Sequence, residues 1–302
     1  MKYQSVFKVL LPLIFGLALV AAGMGLFDQA PGHSYALTNF RGEQVTINGR
    51  GLYYWDTLSA AAQTQANDLI TLVVGLPLLA VGGWLAFRGS LRGQLLLTGT
   101  LGYFLYTYLS MCMLVAYNGL FLVYVALFAL SLYAFALSLM GVDVATLPGH
   151  FAARFPRGWV AGLLFLVGGF LLAAWLGRVV PELLHPQIPA ALENTTTRVI
   201  QAMDLALVAP LAVVGGVLLL RRQPWGYLLA SVVVLKGLTL ALAVSAMAIN
   251  MTLAGVPDSM GFMAPFLVLT ALNLAAGVVL LRNIHGATLQ PWAGQAGTRR
   301  AA

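Results

Sequence analysis

Apolar residues run along this chain in eight long blocks, at 9–27, 69–87, 95–117, 121–140, 159–177, 203–220, 225–249 and 261–281, with short polar connections between them. About 20 apolar residues in a helix cross the roughly 30 Å hydrocarbon core of a bilayer. None of the blocks shows the alternation of a membrane barrel strand, and backbone in lipid must satisfy its own hydrogen bonds, which leaves helices. The pattern predicts an all-α integral membrane protein with eight transmembrane helices.

The pattern also recurs. Residues 77–96, PLLAVGGWLAFRGSLRGQLL, align without gaps on residues 210–229, PLAVVGGVLLLRRQPWGYLL, with 10 of 20 positions identical. Shared leucine is common in membrane sequence, but the match of Pro77 with Pro210, of Gly82 and Gly83 with Gly215 and Gly216, of Arg88 with Arg221 and of Gly93 with Gly226 is not. QANDL from Gln65 returns as QAMDL from Gln201 after a three-residue change in length, and FLVYVAL from Phe121 is echoed by FLVLTAL from Phe266. These matches predict two parallel four-helix repeats, 1–140 and 159–282, joined by a cytoplasmic linker at 141–158 and followed by a cytoplasmic tail at 283–302. An even number of spans per repeat makes the two copies run in the same sense, about an axis along the membrane normal, and a ligand site in such proteins sits between the halves.

The connection between the first two spans, at about 28–67, is the longest polar stretch. In it EQVTI and LYYWD flank NGRG, whose Asn48 and Gly49 suit a tight turn, so a small β-hairpin is expected. Asp56 is placed to cap a helix that continues through TLSAAAQTQAND into the second span, about 46 Å in all and longer than the bilayer core. That helix has to protrude. The segment from Ala190 through NTTTRVIQAMD is expected to do the same before the sixth span, so the hairpin and two protruding helix ends would form a small outer cap.

Composition supports the membrane reading: 60% of residues are hydrophobic and 8% charged, against about a quarter charged in soluble domains. The net charge of +7 acquires a meaning once the basic residues are sorted by side. Eleven of the 16 (Lys2, Lys8, Arg88, Arg92, Arg154, Arg157, Arg221, Arg222, Arg282, Arg299 and Arg300) fall with the termini, while Arg41, Arg50, Arg178 and Arg198 fall opposite. This asymmetry predicts an inner-membrane protein with both termini cytoplasmic, its partner the lipid bilayer rather than nucleic acid. Lys2 and Lys8 ahead of an apolar run ending at Ala21, Ala22 and Gly23 also fit a cleaved signal peptide, but an uncleaved first helix preserves the pairing of halves. The single cysteine, Cys112, cannot form an internal disulfide.

At GRGLYYWDT, QANDL and YNGLFLVYVALFALSLYAF the chain resembles a group of bacterial multi-pass membrane proteins of uncharacterised activity. The resemblance covers roughly the first half and implies the multi-pass fold; it carries over no activity, cofactor or site residue.

Lys236 is the leading candidate for chemistry. It falls about 16 Å into the seventh span, near mid-bilayer, where a lysine costs about 2.5–3.5 kcal/mol and its side chain is too short to reach water. Helical spacing puts Thr239 and Asn250 on its face. Its counterpart in the first repeat is Tyr103, with Tyr106, Ser110 and Tyr117 along the same stripe; Tyr124, Ser131 and Ser138 follow at heptad spacing in the fourth span, and Thr270 and Asn273 lie in the eighth. Asp68 and Asp204 are acids at the outer ends of the second and sixth spans; Asp204 lies about 9 Å outward of Lys236 by helical rise, beyond direct contact, so water or an anionic ligand would bridge them. Such a seam either lines a ligand pathway or holds helices together by hydrogen bonds of about 0.6–2 kcal/mol each.

His33, His150, His185 and His285 lie in four separate segments without ligand spacing, and no phosphate-binding loop, zinc-protease motif or GxSxG elbow occurs, so no cofactor or metal is expected and an enzyme is disfavoured. The leading expectation is a secondary transporter or permease-like protein for a small solute at the repeat seam. The alternative is a non-transporting sensor, assembly factor or scaffold that binds a partner or lipid through its outer cap.

Overall fold

The computed structural model describes residues 2–28, 30–185, 192–256 and 263–285. Among them eight helices are long and apolar enough to cross a membrane, accompanied by one two-stranded hairpin. The first span is α1 (Gln4–Phe27). The hairpin follows, β1 (Tyr35–Thr38) against β2 (Gln44–Ile47), antiparallel with Tyr35 opposite Ile47. The second span is composite: α2 (Leu58–Ile70), a five-residue π turn (Thr71–Gly75) and α3 (Leu76–Phe87). After it come α4 (Leu91–Leu114) and α5 (Phe121–Met140), then α6 (Arg157–Leu184). The sixth span repeats the composite form as α7 (Val199–Met203), a π turn (Asp204–Val208) and α8 (Ala209–Leu220), and α9 (Pro224–Leu253) and α10 (Met263–Arg282) complete the bundle.

Each π turn has a local cause. Proline has no N–H to donate and its ring collides with the carbonyl four residues back, so an α-helix cannot pass regularly through Pro77 or Pro210. Widening the turn just ahead of each proline makes room: the Leu76 amide bonds to the Thr71 carbonyl and the Ala209 amide to the Asp204 carbonyl. The two turns are separated by the same 133 residues as the two prolines.

In the first four spans α1 packs on α2, α3 and α5, α3 on α4, and α4 on α5. In the last four α6 packs on α8 and α10, α8 on α9, and α9 on α10. The two groups meet where α4 crosses α9, with α2 against α9 on one flank and α7 against α4 on the other. Gly99 permits that crossing, because a methyl at its position would meet the Leu235 Cβ at 2.5 Å and the Lys236 backbone nitrogen at 3.2 Å.

Four expectations about the ends of elements are corrected. The hairpin turns at Asn39–Glu43, where the Asn39 carboxamide accepts from the Arg41 and Glu43 amides and Gly42 takes a φ of +82°. Asn48 and Gly49 instead open a coil in which the Asn48 side chain donates to the Arg50 and Tyr53 carbonyls, so LYYWD is not a strand. Thr57, not Asp56, caps α2, its hydroxyl accepting from the Ala60 amide at 3.3 Å. Asp56 accepts from the Ala116 amide at 2.9 Å, and this bond draws the chain out of helix after Leu114, leaving Tyr117 exposed and off the α4 stripe. The sixth span starts at Val199, because Leu192–Arg198 forms turns with Glu193 left-handed at a φ of +48°. Ala190 and Gly261, the expected starts of the second protruding helix and of the eighth span, lie outside the described residues, as does most of the tail.

At the hairpin end the two groups of spans are tied together through Glu193. Its carboxylate accepts from the Thr57 and Ser59 hydroxyls, and its carbonyl from the Asn39 and Arg41 side chains; Arg41 also reaches the Thr195 carbonyl at 3.0 Å. At the arginine-rich end Ile284 bridges to Phe151 and its carbonyl accepts from Arg92 Nε and Nη2, at 2.9 and 2.5 Å.

Candidate functional site

The α4–α9 crossing brings a lysine and an aspartate into one buried site. Lys236 leaves α9 one position after Leu235, where Gly99 makes its close approach, and faces Gly102, whose added methyl would touch the Lys236 Cβ at 3.9 Å. Its ammonium is buried and lies 4.1 Å from the centre of the Tyr106 ring on α4. No described protein atom accepts a hydrogen bond from it. A desolvated cation over an aromatic face gains about 2 kcal/mol, comparable with the cost of burying it at mid-bilayer but leaving three N–H donors unused.

Asp204 enters from the first residue of the second π turn and is buried. Its Oδ1 accepts from the Tyr106 hydroxyl at 2.8 Å and its Oδ2 from the Trp175 indole N–H of α6 at 2.9 Å. Tyr106 therefore stands between the two opposite charges, ring toward the ammonium and hydroxyl toward the carboxylate. Trp175 is the member that reading the sequence missed. The available signal was its position inside an apolar span, where a buried indole N–H requires an acceptor.

The remaining candidates separate from this group. Thr239 is fully buried and donates to the Lys236 carbonyl at 2.9 Å, so it serves its own helix. Asn250 lies 14 residues further along α9 and donates to the Ala62 carbonyl of α2 at 2.7 Å, clasping those helices. Ser110 bonds to the Thr107 carbonyl at 2.7 Å. Tyr103 lies 2.9 Å from the Thr71 hydroxyl and donates to Asn67 Oδ1 at 3.3 Å. Asp68 accepts from the Tyr53 hydroxyl at 2.5 Å, and Tyr124 is buried with its hydroxyl unpartnered. Ser138 bonds to Gln94 and Thr98, and Thr270 to Ser245, across helices.

The 133-residue offset changes one expected pairing. It carries Tyr103 onto Lys236, as read from the sequence, but it carries Thr71 rather than Asp68 onto Asp204, since each begins its π turn. The first half thus places a neutral threonine–tyrosine pair at the station where the second half has a carboxylate and an ammonium.

No family model, curated protein or solved structure matches this chain.

Proposed function

We propose that this protein is a permease-like carrier of a small anionic solute, built as two parallel four-helix repeats with both termini on the cytoplasmic side of a bacterial inner membrane. The repeated sequence, the π turns at one offset and the recurrence of the same helix contacts in each half support the duplication. The arginine-rich end opposite the hairpin supports the orientation.

One observation carries the functional reading: the Lys236 ammonium is buried at the seam between the halves with its hydrogen-bond donors unused, while the nearby acid is occupied by Tyr106 and Trp175. A charge retained in such a place is a functional group by default, and a carboxylate or phosphate would complete it. The test is a thermal-shift screen of purified protein against small carboxylates and phosphates, followed by uptake of any hit into proteoliposomes. A true ligand stabilises the wild type in a saturable way, and Lys236→Met folds but loses the response. A Lys236→Met variant that binds and transports like wild type overturns the proposal.

The alternative, a sensor, assembly factor or scaffold acting through the cap, is favoured by Phe40 and Trp55, large aromatics that the cap leaves exposed. Cysteines placed at Thr239 and Ser131 separate the two readings. Both positions are fully buried, so labelling by a water-soluble thiol reagent requires an aqueous pathway, whereas a scaffold leaves them unlabelled.

A further inference from the structure

The site at the α4–α9 crossing is electrically balanced while empty. Lys236 brings one positive charge and Asp204 one negative, both buried and joined through Tyr106. The Tyr106 ring lies 4.1 Å from the ammonium, and its hydroxyl donates to Asp204 Oδ1 at 2.8 Å. Asp204 is in its charged form here, since its other oxygen, Oδ2, also accepts, from the Trp175 indole at 2.9 Å. Charged groups on the neighbouring elements are engaged elsewhere: Arg178 and Glu182 of α6 form an ion pair that Arg198 joins, and Asp68 of α2 is held by Tyr53. Among the described residues, Tyr106 of α4 and Lys236 of α9 are thus the titratable groups that face Asp204.

A monoanion seated on the ammonium would leave this interior with a net negative charge. An uncompensated charge in a dry interior is costly, and uptake of a proton removes it. The hydrogen bonds of Asp204 leave one place for that proton. An indole N–H can only donate, so Oδ2 has to stay an acceptor. A phenol hydroxyl both donates and accepts, so Oδ1 can carry a proton and donate it to the Tyr106 oxygen, the contact surviving with donor and acceptor exchanged. Lys236 meanwhile keeps its charge for the ligand.

We propose, resting on the anion site at Lys236, that each monoanion is carried together with one proton, taken from water onto Asp204 Oδ1, so that the protein is an electroneutral proton–anion symporter. By linkage, protons favour anion binding by the same factor as the anion favours proton uptake.

The experiment is calorimetric titration of purified protein with methanesulfonate and with lactate, each singly charged at neutral pH, in buffers of different ionisation enthalpy, which counts the protons taken up. One proton per anion is expected, with affinity weakening by up to about tenfold for each unit rise in pH. Asp204→Asn copies the protonated carboxyl, its carbonyl able to accept from Trp175 and its amide to donate to Tyr106. It should bind the anion with no proton uptake and little pH dependence, and an inward proton gradient should drive accumulation in proteoliposomes of wild type but not of this variant. Lys236→Met should bind neither anion. Binding that needs Lys236 but takes up no proton overturns the coupling and leaves the anion site standing. Uptake of a proton that persists in Asp204→Asn puts the proton elsewhere and overturns the assignment. Absence of any binding that needs Lys236 overturns the anion site itself and the coupling with it. The wild-type count decides the coupling even where the asparagine variant does not fold.

Discussion

The Lys236 ammonium lies 4.1 Å from the centre of the Tyr106 ring, and the same residue's hydroxyl donates to Asp204. Lysine and aspartate therefore interact through one side chain rather than by direct contact. This arrangement predicts separable effects at Tyr106. Tyr106→Phe keeps the aromatic face but withdraws a donor from a buried carboxylate, costing about 1–3 kcal/mol of stability. Tyr106→Leu also removes the face under the ammonium and costs about 1–2 kcal/mol more. Thermal unfolding in one detergent orders the three proteins: wild type, then Phe, then Leu. Equal stability of Phe and Leu would show that the ring contributes nothing to Lys236.

Helix approach at Gly99 sets the geometry of the site. A methyl there meets the Cβ of Leu235 and the backbone of α9, neither of which can swing away. Gly99→Ala should cost about 1–3 kcal/mol, as overpacking does, and should weaken any ligand response by displacing Lys236. Gly169→Ala is the control: nothing lies within 4 Å of its added methyl, so melting should be unchanged or slightly raised by the better helix former. Measured together, the pair separates close packing from glycine's general effect on helices.

Much of this fold was legible in the sequence, because burial in lipid writes itself as uninterrupted apolar runs. All eight runs became helices, and the hairpin was found in the right connection. Its register was not, since Asn39 and Asn48 both offer turn chemistry and tertiary contacts chose between them: Asn39 is fixed by Glu43 and Glu193, whereas Asn48 is spent on the coil that leads to Thr57. Helix ends were displaced wherever a distant partner intervened, as when Asp56 took the Ala116 amide. At the site, Lys236 and Asp204 were visible as polar residues in the wrong solvent. The link between them was not, because helical rise gives separation along an axis and says nothing of a tyrosine reaching across from another helix.

The cap latch predicts a local effect. Glu193 holds the Thr57 and Ser59 hydroxyls with its carboxylate, and it does so from a left-handed backbone. Glu193→Ala should loosen the cap by about 1–3 kcal/mol. Glu193→Gly loses the same carboxylate but suits the positive φ, so it should be more stable than the alanine variant by about 1 kcal/mol. Hydrogen exchange should quicken at 35–60 in both, more in alanine, with the spans unchanged. Exchange that quickens throughout the protein instead would make the latch part of the global fold.

The last prediction concerns pH. Burial pushes the Asp56 carboxyl up to about 7, against the opposing pull of the Ala116 amide. In the unfolded chain an aspartate titrates near 3.9. Between about pH 4 and pH 7 the unfolded state has released a proton that the folded state keeps, so the folded state loses relative stability as pH rises through that window. The loss reaches about 4 kcal/mol and then levels off. The cap should be more stable at pH 5 than at pH 8. Asp56→Asn retains an oxygen for the Ala116 amide and cannot ionise, so its stability should lose most of this slope. Asp68 is the other buried carboxyl at the cap end of the first four spans, and an undiminished slope in Asp56→Asn would transfer the effect to it.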